Sequence, residues 1–250
     1  MPYVTIPGAD IFYEEMGTGE PVIFLHSSFS RGILSFAAQI SRFQNKFRCF
    51  YPDMRGHGRT ESSTISWTTP GLADDLIAFM DVLEIPQAHL VGFSLGGDVA
   101  LYAALGYPQR IMSKIIIGTT YYVTEQTRNL AAEYEPDRLI ALGKDMFIEF
   151  VKQNHREAHR GDWRKFVETG IQNWRLYPNL SPGEIRGIEP PLVFIFGEKD
   201  KYVGEKDRQI LNLEFPQLPV HVIPDTGHAV HLAEGRSEEV NRIILEILEM

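Results

Sequence analysis

The sequence predicts one α/β domain built on a doubly wound, mostly parallel sheet of eight strands. Three observations predict it. Short apolar runs such as Val22-Ile23-Phe24-Leu25 and Leu192-Val193-Phe194-Ile195-Phe196 are too short for helices, and continuous enough for strands buried on both faces. These runs alternate with stretches of helical spacing, as strand–helix–strand units do. Each run opens at its carboxyl end into a cluster of glycine and polar residues, where parallel sheets place their sites.

Taken in order, Tyr3–Ile6 and Ile11–Glu15 read as strands joined by the turn residues Pro7-Gly8-Ala9-Asp10. Val22–Leu25 is a buried strand that runs into His26-Ser27-Ser28-Phe29. Residues 32–45 have helical spacing, with Ile33, Phe36, Ala37 and Ile40 on one face. Arg48–Pro52 is the next strand and opens into Asp53-Met54-Arg55-Gly56-His57-Gly58-Arg59. Leu72–Leu83 is an amphipathic helix with Asp74 and Asp75 near its start, where the helix dipole favours them. Ala88–Gly92 and Lys114–Gly118 are the fifth and sixth strands. From about residue 121 to 187 the pattern turns helical, charged and dotted with aromatics (Tyr134, Phe147, Phe150, Trp163, Trp174, Tyr177). Residues 190–197 and 219–223 return to strand, and Ser237–Leu248 is a last helix with Val240, Ile243, Ile244, Ile247 and Leu248 on its apolar face. The core thus comprises residues 1–120 and 188–250 of a single domain, and 121–187 is a helical cap inserted after the sixth strand.

A chain of 250 residues with 44% hydrophobic content buries a sizeable core. Its formal charge of −9 argues against a nucleic-acid binder. The single cysteine, Cys49, excludes an internal disulfide framework, fits a reducing compartment, and falls within a core strand as packing. No cationic stretch followed by an apolar run opens the chain, and no run reaches membrane-spanning length. The expectation is a cytoplasmic protein, monomer or homodimer, with a small-molecule substrate, no membrane and no nucleic-acid partner.

The most informative stretch is Leu90-Val91-Gly92-Phe93-Ser94-Leu95-Gly96-Gly97. A strand ends in G-x-S-x-G, and Asp98-Val99-Ala100-Leu101-Tyr102-Ala103-Ala104-Leu105 continues as a buried helix. A serine between strand and helix sits on a tight turn that pushes its hydroxyl out at the top of the sheet. Side chains at positions 92 and 96 would collide as the backbone folds back. This stretch resembles the nucleophile elbow of the α/β-hydrolases, and the resemblance extends over nearly the whole chain.

A serine nucleophile needs a base, and the base needs an orienting acid. In that superfamily they follow in the order Ser, Asp or Glu, His. Gly197-Glu198-Lys199-Asp200 resembles the loop supplying the acid and assigns Asp200; Pro224-Asp225-Thr226-Gly227-His228 resembles the loop delivering the base and assigns His228. Glu198, Asp225 and His231 compete for these roles. The pattern favours the residue three after the glycine over Glu198, Asp225 reads as shaping its turn, and His231 lies past the loop. The resemblance also assigns an oxyanion hole to the backbone N–H groups of Leu95 and Ser28, although Ser27 stands where the family has glycine. His26 reads as a buried residue pinning its loop, and Asp53 and Arg55 as polar contacts beneath the site, which leaves His57 a poor base. Ser27, Phe29, Tyr121, Trp163 and Val203 are candidate substrate contacts, with Trp174 a further aromatic of the cap.

His155-Arg156-Glu157-Ala158-His159 is not a zinc motif, because arginine stands where His-Glu-x-x-His needs glutamate; it reads as a solvated helix face. No phosphate loop, dinucleotide fingerprint or cysteine cluster is present, so no cofactor or metal is expected. The resemblance implies hydrolysis of small carboxylic esters or lactones through an acyl-enzyme. A carbon–carbon hydrolase of ring-cleavage products would use the same three residues, as would a slow-turnover ligand sensor.

Overall fold

The computed structural model describes residues 2–250. The chain begins with β1 (Tyr3–Ile6), β2 (Ala9–Met16) and β3 (Pro21–Leu25), followed by helices α1 (Gly32–Ser35) and α2 (Ile40–Phe43). β4 (Arg48–Pro52), β5 (Glu61–Ser62), α3 (Thr69–Val82), β6 (Ala88–Phe93), α4 (Leu95–Gly106) and β7 (Ile111–Ile117) come next. A helical segment follows: α5 (Glu125–Ala131), α6 (Pro136–Ala141), α7 (Asp145–Asn154), α8 (Arg156–His159), α9 (Trp163–Leu176) and α10 (Pro182–Arg186). β8 (Leu192–Gly197), α11 (Glu205–Glu214), β9 (Val220–Ile223) and α12 (Ser237–Leu248) complete the chain.

The strands form one nine-stranded sheet in the order β1-β2-β4-β3-β6-β7-β8-β9, with β5 lying against β2. β1, β2 and β5 pair antiparallel, as do β2 and β4, whereas every pair from β4 to β9 is parallel. Alternate side chains of the parallel strands enter two cores. Val22, Phe24, Val91, Phe93, Ile115, Ile117, Val193 and Ile195 face α12 and the α1–α2 side. Ile23, Leu25, Leu90, Ile116, Phe194 and Phe196 face α3 and α4. This two-sided burial is why these strands read as unbroken apolar runs. α3 begins where the Thr68 side chain accepts a hydrogen bond from the Gly71 N–H, a cap that stands four residues ahead of the sequence-based start.

Three departures from the sequence reading have local causes. The helix expected over 32–45 is broken into α1 and α2, because the intervening turn carries the Gln39 side chain inward, where its amide donates to His231 O at 2.9 Å and Asn241 Oδ1 at 2.8 Å. β5 adds a ninth strand; two residues are too few to show any alternation. The His155 and His159 pair is not a solvated face, since both are buried. α7 ends just before His155 and the chain turns into α8, which points both rings inward rather than along one outer face.

His155 Nδ1 accepts from the Gly58 N–H at 2.8 Å, and its ring lies 5.8 Å from that of His57, itself 5.0 Å from His26. These imidazoles join the helical segment to the loops after β3 and β4. Burial pushes His26 down, His57 well below the ordinary histidine value, and His155 down to about 3. His231, buried elsewhere with Nε2 2.6 Å from Ser35 O, is pushed down to about 4 by the same desolvation. A histidine held neutral by the fold takes up its proton more readily when unfolded, so its contribution is intact above the unfolded value and is lost as pH falls. Melting temperature is therefore expected to be flat above about pH 6.5 and to fall below it, each such histidine adding up to about 1.4 kcal/mol per pH unit. Thermal unfolding followed by circular dichroism from about pH 8 to about pH 5 measures this, and an unchanged melting temperature across that range would contradict it.

Candidate active site

Ser94 lies between β6 and α4 with φ 52° and ψ −116°, a conformation that costs a non-glycine residue roughly 1–3 kcal/mol. The turn is held from both sides. Its N–H donates to Ile117 O of β7 at 2.8 Å, and its carbonyl accepts from the N–H groups of Gly97 at 2.8 Å and Asp98 at 3.0 Å. Close approach explains the flanking glycines. A Cβ on Gly92 would stand 2.2 Å from Gly96 O, and one on Gly96 would stand 1.9 Å from Leu25 O of β3. The Leu95 N–H opens α4 and so has no acceptor within the helix. Among the described residues, Ser94 Oγ makes no hydrogen bond.

His228 Nδ1 lies 2.9 Å from Asp200 Oδ2. The Asp200 side chain is fully buried, and its other oxygen accepts from the N–H groups of Tyr202 at 2.8 Å and Val203 at 3.3 Å. An ionised carboxylate only accepts, so Nδ1 carries the imidazole proton and Nε2 is left with its lone pair. Tyr202 lies tilted against the ring at 4.3 Å and Phe93 at 4.9 Å, and the two together restrict the ring plane. Arg208 of α11, itself buried, holds the acid-bearing loop by donating to the carbonyls of Val203 at 2.8 Å, Glu198 at 3.1 Å and Gly197 at 3.3 Å.

Ser94 and His228 line one cavity of about 190 Å³. Its floor is the ends of β3, β6 and β7, and its far wall comes from the helical segment through Tyr134, Phe147, Phe150 and Trp174. Of the residues singled out from the sequence, Ser27, Ser28, Phe29, Leu95 and Val203 also line it. Phe29 adopts φ 58° and inserts its ring among Tyr134, Phe147, Phe166 and Trp174 at 5.1–6.2 Å. The Trp174 indole N–H donates to Ser28 Oγ at 2.7 Å, tying α9 to the loop after β3.

Two expected contacts are placed elsewhere. Tyr121 is packed edge-on against Phe215 at 5.3 Å, in the core beside α11, and lines no part of this cavity. Trp163 opens α9 at the other end from Trp174, with Lys152 Nζ and Arg164 Cζ 5.7 and 5.5 Å from its ring centre. The competing residues also find other work: Glu198 accepts from the Asp225 N–H at 2.9 Å, Asp225 turns the chain at φ 61°, and His231 is buried under α1. His26 Nε2 accepts from the Met54 N–H at 2.9 Å, and buried Asp53 accepts from Gly32 N, Arg59 N and Arg59 Nε at 2.8–3.0 Å, so both brace loops rather than face the cavity. Asp98, Tyr122 and Arg208 escaped the sequence reading; none stands in a motif, and only the folded chain brings them to the site. Gly96→Ala is expected to cost about 3 kcal/mol or more, since β3 or α4 must shift, and a urea midpoint unchanged from wild type would refute the packing argument.

The sequence pattern of the alpha/beta hydrolase family matches residues 22–243. The chain belongs to the alpha/beta hydrolase family. It is therefore an enzyme of the hydrolase class. A 2-hydroxy-6-oxononadienedioate/2-hydroxy-6-oxononatrienedioate hydrolase of Burkholderia vietnamiensis is 28% identical to this hydrolase, over 95% of this chain and 90% of the relative. The esterase YbfF of Escherichia coli is also 28% identical, over 84% of this chain and 87% of its own. The enol-lactonase of Burkholderia xenovorans has the same fold, with a TM-score of 0.80 at 20% identity over the full length of both chains. No helix among the described residues is long and apolar enough to cross a membrane.

Proposed function

We propose that this hydrolase cleaves small carboxylic esters or lactones, with Ser94 as nucleophile, His228 as base and Asp200 as its orienting acid. The observation that carries this reading is the meeting, in one cavity, of a serine on a strained, glycine-flanked turn and an imidazole whose Nδ1 is bound to a buried carboxylate. As Ser94 Oγ attacks the carbonyl carbon, His228 Nε2 takes its proton, and Asp200 stabilises the imidazolium that forms. A serine–imidazole contact of this kind commonly closes only in the substrate complex. The Leu95 and Ser28 N–H groups stabilise the oxyanion, His228 returns the proton to the leaving oxygen, and water cleaves the acyl-enzyme by the same route.

The segment 121–187 acts in this reading as a cap. Its aromatics close the cavity over Ser94, and Trp174 is fixed to Ser28. A cavity of about 190 Å³ is below the roughly 300 Å³ at which drug-sized ligands are held, so short acyl groups fit best. The name of the Burkholderia vietnamiensis relative describes a dicarboxylate substrate. Here none of the described residues lining the cavity is lysine or arginine, and Asp98 adds an acid. A buried dianion without a cationic partner would be strongly disfavoured, which supports esters over ring-cleavage products.

Steady-state hydrolysis of p-nitrophenyl esters from acetate to octanoate tests the reading. Activity is expected to peak at short chains and to fall by about 10⁴-fold or more in Ser94→Ala. Asp200→Asn is expected to lower kcat by roughly 10³- to 10⁴-fold with KM little changed, because the asparagine no longer enforces the productive tautomer. Retained activity in folded Ser94→Ala would remove Ser94 as nucleophile.

A further inference from the structure

Resting on the proposed ester hydrolysis, we infer that Asp98 forms a subsite for a protonated amine, carried in the substrate about one helical turn from the attacked carbonyl. Asp98 sits on the first turn of α4, four residues after Ser94, a rise of roughly 6 Å along the helix. It lines the same cavity as Ser94 and is only 7% exposed. Oδ1 accepts from Thr119 Oγ1 at 2.7 Å. Among the described residues no group donates to Oδ2 and no basic side chain pairs with the carboxyl, so one oxygen of a nearly buried acid is left for whatever occupies the cavity.

The remainder of the wall fits a cation. Tyr122, Tyr134, Tyr177, Trp174 and Tyr202 line the cavity, and aromatic faces attract ammonium groups. Among the described residues, no lysine or arginine lines it to repel one. Burial raises the Asp98 carboxyl well above the usual carboxylate range, which marks the cost of holding its charge there without a partner. A bound ammonium supplies the missing counter-charge and favours the carboxylate form, so the two make a buried, hydrogen-bonded pair. Across the cavity, His228 and the tyrosines are the other titratable groups, and Tyr102 follows one turn further along α4. A carboxylate-bearing substrate meets the opposite situation, with an acid and no cation.

Three acetates of nearly equal size separate charge from shape: 3-(dimethylamino)propyl acetate, 4-methylpentyl acetate and 4-acetoxybutanoate, followed by pH-stat near neutrality. Wild type is expected to favour the amine over the neutral isostere by about tenfold or more in kcat/KM, and to disfavour the anion. In Asp98→Asn the ratio of amine to neutral ester is expected to fall to about one, whatever the absolute rate of either. Equal rates for the three in wild type, or a preference for the neutral or anionic ester, would overturn the subsite while leaving ester hydrolysis standing. Thermal shift of wild type with 3-dimethylamino-1-propanol against 4-methyl-1-pentanol needs no variant and no turnover. A larger rise with the amine supports the subsite, and equal rises overturn it. Failure to hydrolyse any of the acetates or p-nitrophenyl esters would instead count against the ester reading, with the thermal shift still deciding Asp98.

Discussion

The turn from β6 into α4 is the constraint on which the site depends. Within a few residues the chain leaves a central strand, enters a left-handed conformation at Ser94 and starts a helix that packs back on the same sheet. The turn works only because Gly96 lets α4 touch the end of β3, with Leu25 O closer than any Cβ would tolerate. It is held by β7 through the Ser94 N–H and by α4 through the Ser94 carbonyl. Strain of this kind persists where its surroundings over-determine it. Here two neighbouring strands and a helix supply that determination, and the hydroxyl is left at the mouth of the sheet.

The other groups are positioned by backbone capture of charge. Among the described residues no lysine or arginine pairs with buried Asp200, which receives two backbone N–H groups and one imidazole. Arg208 sits under the same loop and spends its guanidinium on carbonyls instead of on that carboxylate. Asp53 repeats the arrangement in the neighbouring loop, gathering Gly32 and Arg59. Buried charges held by several directed hydrogen bonds fix loop geometry in a way that exposed ion pairs such as Lys199–Asp225 do not.

Above this frame, the segment 121–187 is attached through aromatic and imidazole contacts. Phe29 reaches up from the β3 loop into a cluster that includes Trp174 and Phe166, and His155 reaches down to Gly58. The cavity between the two layers is consequently aromatic on one side and polar on the other, with Asp98 and Thr119 on the polar side. The triad assignment explains how an ester bond would be attacked. The composition of these walls is what would select the molecule that carries it.

The sequence by itself determined the architecture and the three chemical loops. Buried parallel strands must be apolar on both faces, so they announce themselves as runs, and the tight turn at Ser94 can be built only with glycine at 92 and 96. The loops that carry Asp200 and His228 were legible for the same reason: each opens at the end of a strand, β8 or β9. The pocket was legible only in part, and the fate of the other histidines was not. Trp163 and Trp174 belong to one helix, yet only the second meets Ser28, because the rotation and placement of α9 are set by its packing against the neighbouring helices and the loop after β3. His155 and His159 have surface-like neighbours in sequence but turn inward where α7 ends. Asp98 looks like an ordinary first-turn acid until the end of β7 brings Thr119 to it and the fold places it on the wall of the cavity that holds Ser94. Local spacing encodes which elements form; which side chains share a cavity depends on contacts between residues far apart in the chain, and those were decided only by the tertiary structure.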